Sequence, residues 1–209
     1  MAVKFDHSLV PTSPDLSLER SLFNAGVGNI AGLDEAGRGA WAGPVTAAAV
    51  ILNPVLPANP LLGEVRDSKQ LRPEQRWRLE PVIKQTALAW GIGFASNEEI
   101  DLLGILPATR LAMTRALQAL QIQPLHLLID ALLLPETAIP QTALIKGDQR
   151  SLSIAAASVL AKTARDRFMQ ELANRENRYI FERNKGYGTR AHQEALNAYG
   201  PCPLHRFSY

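Results

Sequence analysis

The chain has 209 residues, 46% of them hydrophobic, a net charge of +2 and one cysteine. Such a length and apolar content suit a globular chain of one domain with a buried core. The lone Cys202 excludes an internal disulfide and a Cys-based zinc site, so a reducing compartment, the cytoplasm, is expected.

Residues 1–29 carry Lys4, Asp6, His7, Asp15, Glu19 and Arg20 with prolines between them. They lack the continuous apolar run of a signal peptide and read as a loose N-terminal arm, with residues 30–209 as a single domain. Residues 30–33 form an apolar run ending on Asp34 and Glu35, a short strand, and 45–52 read as a second, buried strand. The charge-free stretch 40–63 is long enough to cross a bilayer, but Pro44, Pro54, Pro57 and Pro60 make it a strand followed by a loop. No membrane segment is expected.

Pro73 suits a first helical turn, and Pro81 is expected to kink or split the helix that follows. Residues 88–95, with Gly91 and Gly93, read as a third strand with close backbone neighbours. Asn97 is expected to cap a helix that restarts at Pro107, with Met113, Leu117 and Leu120 on its core face. Residues 125–130 and 142–145 read as strands four and five. Ser151 or Ser153 opens a long helix from 155 to about 174, whose small residues Ala155, Ala156, Ala157 and Ser158 allow close packing on the sheet. Thr189 caps a last helix to Tyr199. Strands in succession, then strands alternating with helices, point to an α/β fold with a mixed five-stranded sheet flanked by helices and a helical C-terminal extension.

Charge is uneven. Positions 162–190 hold eight basic residues against four acidic ones, a pattern that fits either a nucleic-acid backbone or solvated helix faces. The three tryptophans, Trp41, Trp77 and Trp90, read as packing residues. His192 and His205 read as solvated histidines of a helix and a tail, with no catalytic role.

The most informative segment is Asp34-Glu35-Ala36-Gly37-Arg38-Gly39. Two adjacent carboxylates repel unless a cation or water screens them, and an arginine between glycines can meet a phosphate. Taken alone, the pair also fits solvated surface. Asp130 fits a turn at a strand end, Asp148 a helix start and Tyr187 a partly buried core ring. Asp148 stands in a polar loop before a helix, whereas Asp166 has Lys162 four residues before it and reads as a surface ion pair.

Further segments follow in order: Gly43-Pro44-Val45, Asp67-Ser68-Lys69-Gln70-Leu71, Leu128-Ile129-Asp130, Lys146-Gly147-Asp148, Ser153-Ile154-Ala155-Ala156-Ala157-Ser158 and Lys185-Gly186-Tyr187-Gly188-Thr189. Together with the first, they resemble the bacterial ribonuclease HII (type 2 ribonuclease H) family over residues 30–206.

The resemblance implies a ribonuclease H-like fold and an endonuclease acting on RNA–DNA hybrids and on DNA duplexes containing ribonucleotides. The cut falls 5′ of a ribonucleotide and leaves 3′-hydroxyl and 5′-phosphate ends, in ribonucleotide and RNA primer removal. It assigns Asp34, Glu35, Asp130 and Asp148 as catalytic metal ligands. Their hard oxygen donors suit Mg²⁺ or Mn²⁺, two ions clamping the scissile phosphate. Gly37, Arg38 and Gly39 are expected to sense the 2′-hydroxyl and hold a phosphate, and Tyr187 to pack on the next sugar. Lys69, Lys146, Ser151, Lys185, Thr189 and Arg206 are expected to hold backbone phosphates. A monomer is the default assembly, and no clamp-binding pattern is complete in Phe207-Ser208-Tyr209. The competing readings are a related phosphodiesterase that acts on other substrates and a non-catalytic hybrid-binding module.

Overall fold

Strand β2 (Val45–Ile51) is buried along its whole length, because both faces of the sheet are covered. Its alternate side chains divide between two layers. Val45, Ala47, Ala49 and Ile51 join one apolar cluster with Ala108, Ala112 and Met113 of a helix, and Ala48 and Val50 join a second with Ala155, Ala156 and Val159 of another. The computed structural model describes residues 10–55 and 60–209.

In chain order the elements are α1 (Ser17–Asn24), β1 (Ile30–Ala36), β2, α2 (Pro73–Thr86), β3 (Ala89–Ala95), α3 (Asn97–Leu103) and α4 (Ile105–Gln118). Then come β4 (His126–Asp130), β5 (Gln141–Leu144), α5 (Leu152–Ala173), α6 (Phe181–Asn184) and α7 (Arg190–Tyr199). The five strands form one mixed sheet in the order β3-β2-β1-β4-β5. β1 to β3 are antiparallel, while β4 runs parallel to β1, and β5 to β4. Helix α4 covers one face and α5 the other, the expected mixed five-stranded arrangement.

Glycines and small residues permit this close layering. A Cβ on Gly91 or Gly93 would lie 2.2 Å from a main-chain oxygen of α4, and one on Gly32 would lie 2.2 Å from the Ser153 carbonyl carbon of α5. The small face expected for the long helix is therefore the face on which β1 rests.

Several expectations need correction. The N-terminal segment is not a loose arm throughout. From Asp15 onward it is docked, with Leu16 and Glu19 buried and Leu152 N–H donating to the Asp15 carbonyl at 2.8 Å. Residues 1–9, which carry Lys4, Asp6 and His7, and residues 56–59, which include Pro57, lie outside the described residues. Pro81 does not split α2, because it lies on the exposed side, where a lost helical hydrogen bond need not stay unsatisfied in the core. The cap of α3 is Ser96, whose hydroxyl accepts from Glu99 N at 3.2 Å in a reciprocal capping box. β1 does not end on the carboxylates but runs through them to Ala36, held by pairing with β2.

Candidate active site

Strand register brings the first two carboxylates together. β4 pairs with β1 only as far as Leu33 and Ile129, so Asp34 and Asp130 are the next residues on neighbouring parallel strands. Alternation sends both toward α5, since Leu33 and Ile129 belong to the cluster on the opposite face. Asp148 enters from the one-turn 3₁₀ segment Gly147–Gln149 just before α5. The Gly147 amide donates to Asp130 Oδ1 at 2.7 Å and ties that turn to β4. Glu35 follows Asp34 at the strand end, and its amide donates to Asp34 Oδ1 at 2.7 Å.

Burial and mutual repulsion raise the proton affinity of the group. Burial pushes Asp34 well above the usual carboxylate range, and Glu35 and Asp130 push it further. Burial also raises Glu35 against the opposing Arg38, and Asp130 against the Gly147 amide. Asp148 is pushed up to about 7 by burial and by the charges of Asp130 and Asp67. Lys69 is held above its ordinary value: burial opposes its charge, but Asp67, Asp34, Asp148 and Asp130 outweigh it.

The donor set fits hard divalent cations. It offers carboxylate oxygens alone, at high mutual repulsion, and Glu35 Oε2 is buried with no hydrogen-bond partner. The side chains do not already form a closed cage, and among the described residues no three acidic, histidine or cysteine side chains converge as a ready ligand set. The reason is visible in the contacts: Glu35 Oε1 is turned to Arg38 Nη1 at 3.1 Å, while Asp34 and Asp130 accept from main-chain amides.

Beside the carboxylates lies a cleft of about 330 Å³, lined by Glu35, Gly37, Arg38, Gly39, Lys69 and Tyr187 among others. Gly37 has φ +93°, a left-handed conformation that favours glycine, and a Cβ on Gly39 would meet nothing within 4 Å. The turn is open on the Gly39 side and supported beneath. Arg206 donates to the carbonyls of Gly37 at 2.7 Å and Arg38 at 2.9 Å. Lys162 and Arg165 lie 5.2 and 5.1 Å from the centre of the Tyr187 ring.

Not every candidate faces this cleft. Ser151 is fully buried: it caps α5 by accepting from Ile154 N at 3.2 Å and donates to Glu19 at 2.6 Å. Arg206 is 3% exposed, and its guanidinium is spent on the carbonyls of Gly37, Arg38 and Gly43. Neither is placed to hold a phosphate. Lys69 and Thr189 are exposed, the latter capping α7 as expected, and Lys185 is half-buried. Lys146 has φ 56° just before the Asp148 turn.

Other readings also change. Asp166 is a buried ion pair, bonded to Lys162 at 2.7 Å and Arg76 at 3.4 Å, because α2 packs over that face of α5. His192 and His205 are buried with their Nε2 atoms 3.0 Å apart, because α7 and the C-terminal segment fold over Tyr179 and Phe181. Arg165, counted in the basic segment, is fully buried. Reading by residue type also missed Asp67, which lies within hydrogen-bond reach of Asp148, and Ser158, which adjoins Asp34 and bonds Ser68 at 3.0 Å. Both stood in quoted segments, the only signal that could have found them.

The ribonuclease HII family model matches residues 31–209. A ribonuclease HII of Moorella thermoacetica is 55% identical over 191 residues, 91% of this chain and 91% of that one. One of Chloroflexus aurantiacus is 53% identical over 197 residues, 94% of this chain and 93% of its own. The crystal structure of the ribonuclease H2 from Pyrococcus horikoshii OT3 superposes with a TM-score of 0.71 at 25% identity, covering 87% of this chain and 93% of that one. The chain belongs to the ribonuclease HII family, metal-dependent hydrolases that cut RNA in RNA–DNA hybrids and ribonucleotides embedded in DNA.

Proposed function

We infer that this chain hydrolyses the phosphodiester 5′ to a ribonucleotide, leaving 3′-hydroxyl and 5′-phosphate ends, with Asp34, Glu35, Asp130 and Asp148 as ligands of two Mg²⁺ or Mn²⁺ ions. The observation that carries this reading is the adjacency of Asp34 and Asp130 on neighbouring parallel strands, beside a cleft lined by Gly37, Arg38, Gly39 and Tyr187. When bound, such ions activate water and neutralise charge on the departing 3′-oxygen.

The chain's own residues do the rest. The amides of Glu35 and Gly147 hold Asp34 and Asp130 in orientation. Lys69 offsets part of the cluster's negative charge, which would otherwise repel the phosphate. The turn at Gly37 and Gly39 lets main-chain groups approach a ribose and meet its 2′-hydroxyl. Arg38, nearly half exposed, can leave Glu35 for a phosphate when a cation claims that carboxylate. The Tyr187 ring packs on the sugar of the following nucleotide. Lys69, Lys146, Lys185 and Thr189 are the backbone contacts that remain. The reaction serves ribonucleotide and RNA primer removal in the cytoplasm, performed by a monomer.

A labelled DNA duplex with one ribonucleotide tests the reading, incubated with Mg²⁺, Mn²⁺ or chelator beside an all-DNA duplex. Metal-dependent cutting 5′ to the ribonucleotide, with the all-DNA duplex intact, is expected. Equal cutting of both duplexes would overturn the ribose-sensing part, and cutting in chelator the metal part.

A further inference from the structure

Arg165 is 0% exposed, yet it makes no salt bridge among the described residues. All three of its guanidinium nitrogens donate to main-chain carbonyls: Nε to Pro44 at 2.8 Å, Nη1 to Lys185 at 2.8 Å and Nη2 to Ala42 at 3.0 Å. The segments it joins are far apart in sequence. One continues the Gly37 turn, and the other leads directly into Tyr187.

Two further contacts complete the arrangement. The guanidinium carbon lies 5.1 Å from the centre of the Tyr187 ring. A Cβ built on Gly37 would fall 2.0 Å from Arg165 Nε and 2.8 Å from its Cζ, so the Gly37 main chain rests directly on the guanidinium. One planar group therefore contacts both the turn and the ring. Stability alone does not explain it, because an apolar side chain of similar volume commonly serves a core as well as a buried charge does.

We propose that Arg165 is a positioning residue that sets the spacing between the Gly37 turn and Tyr187, and through it the preference for a ribonucleotide followed by a DNA nucleotide. The proposal rests on the roles given above to that turn and to Tyr187. A ribose held at the turn and a sugar held by the ring are neighbours on one strand. The distance between the two supports then decides whether both can be engaged. Lysine cannot substitute, since one ammonium has neither the plane that Gly37 rests on nor the three-way reach to Pro44, Ala42 and Lys185.

The test compares kcat/KM on a DNA duplex with one ribonucleotide against kcat/KM on a hybrid whose cut strand is entirely RNA. The variants are Arg165→Lys, Arg165→Gln, Tyr187→Ala and the double variants, each checked by thermal unfolding. The expected result is a fall of about tenfold in the ratio of the two values for a folded Arg165 variant. Tyr187→Ala should lower the ratio similarly, and the double variant no further, as for residues acting through one contact. A ratio that falls in Tyr187→Ala but not in either Arg165 variant overturns the proposal, as does additivity in the double variant. Failure of both Arg165 variants to fold assigns the residue to stability alone and also overturns it. A ratio unmoved by Tyr187→Ala is a different result, which refutes the role given to Tyr187 and the proposal with it.

Discussion

Glu19 and Ser153, 134 positions apart, meet in the core: Glu19 Oε1 accepts from the Ser153 amide at 3.1 Å and from its hydroxyl. The same oxygen takes the Ser151 hydroxyl at 2.6 Å. Ser153 in turn packs against Gly32, two residues before Asp34. The first helix thus fastens the start of α5, and with it the turn that carries Asp148, to the strand that carries Asp34.

Replacing Glu19 by Ala leaves two hydroxyls and an amide without their buried acceptor. Destabilisation of about 2–3 kcal/mol is expected, because unsatisfied buried donors keep their full desolvation cost. Urea unfolding of the variant checks the value, and a change under about 0.5 kcal/mol would mean that the helix is only loosely seated.

Gly32→Ala should be more damaging. The new Cβ would meet the main chain of Ser153 at 2.2 Å, which no side-chain rotation relieves. Separation of β1 from α5 is expected to cost about 3 kcal/mol and to move Asp148 away from Asp34. Thermal unfolding and cleavage of a single-ribonucleotide duplex read the two effects separately.

Asp34→Asn removes a charge that burial and two neighbours already oppose. Cleavage should fall by about a thousandfold or more as a metal ligand is lost. The metal-free variant should nevertheless unfold at a higher temperature than the metal-free parent, since one repelling carboxylate is gone. Retained cleavage would refute the metal assignment.

Asp148 gives a pH dependence of definite sign. Its folded pKa, about 7, lies above the ordinary carboxylate value, so its contribution to stability is present at low pH and is lost as pH rises toward 7. Metal-free protein should therefore lose stability between about pH 4 and about pH 7, and Asp148→Asn should lose less. Divalent cations should restore it most at the upper end, where the carboxylates are free of protons. Chelator-treated samples scanned by calorimetry across that range provide the check.

The buried histidines act in the opposite direction. Burial lowers the pKa of both His192 and His205, so they contribute stability above the unfolded value, which is lost as pH falls. Their contribution is expected to be lost as pH falls below about 6.5, offsetting part of the Asp148 effect, and the offset should be smaller in His192→Gln. An offset unchanged in that variant would show that other groups control it.

Much of the fold was legible in the sequence because its signals are local. Apolar runs identified the five strands, Pro73 and Thr189 marked helix starts, and Gly91 and Gly93 announced a close neighbour. Where a contact distant in sequence decides the outcome, local reading failed. Pro81 is tolerated because its side of α2 is exposed, and the segment before β1 is ordered because Glu19 finds acceptor duties on α5.

The site divides in the same way. The candidate carboxylates, the Gly37-Arg38-Gly39 turn and Tyr187 could be proposed from the sequence because each stands in a compact motif that depends on residue type. Tertiary structure alone decided that Ser151 and Arg206 serve the interior, that Asp166 is buried with Arg76, and that His192 and His205 share a hydrogen bond. The physical reason is that burial and partnership belong to pairs of residues. A serine or an arginine has the same chemistry on a surface or in a core, and packing determines whether its hydrogen bonds go to a nucleic acid or to the chain itself.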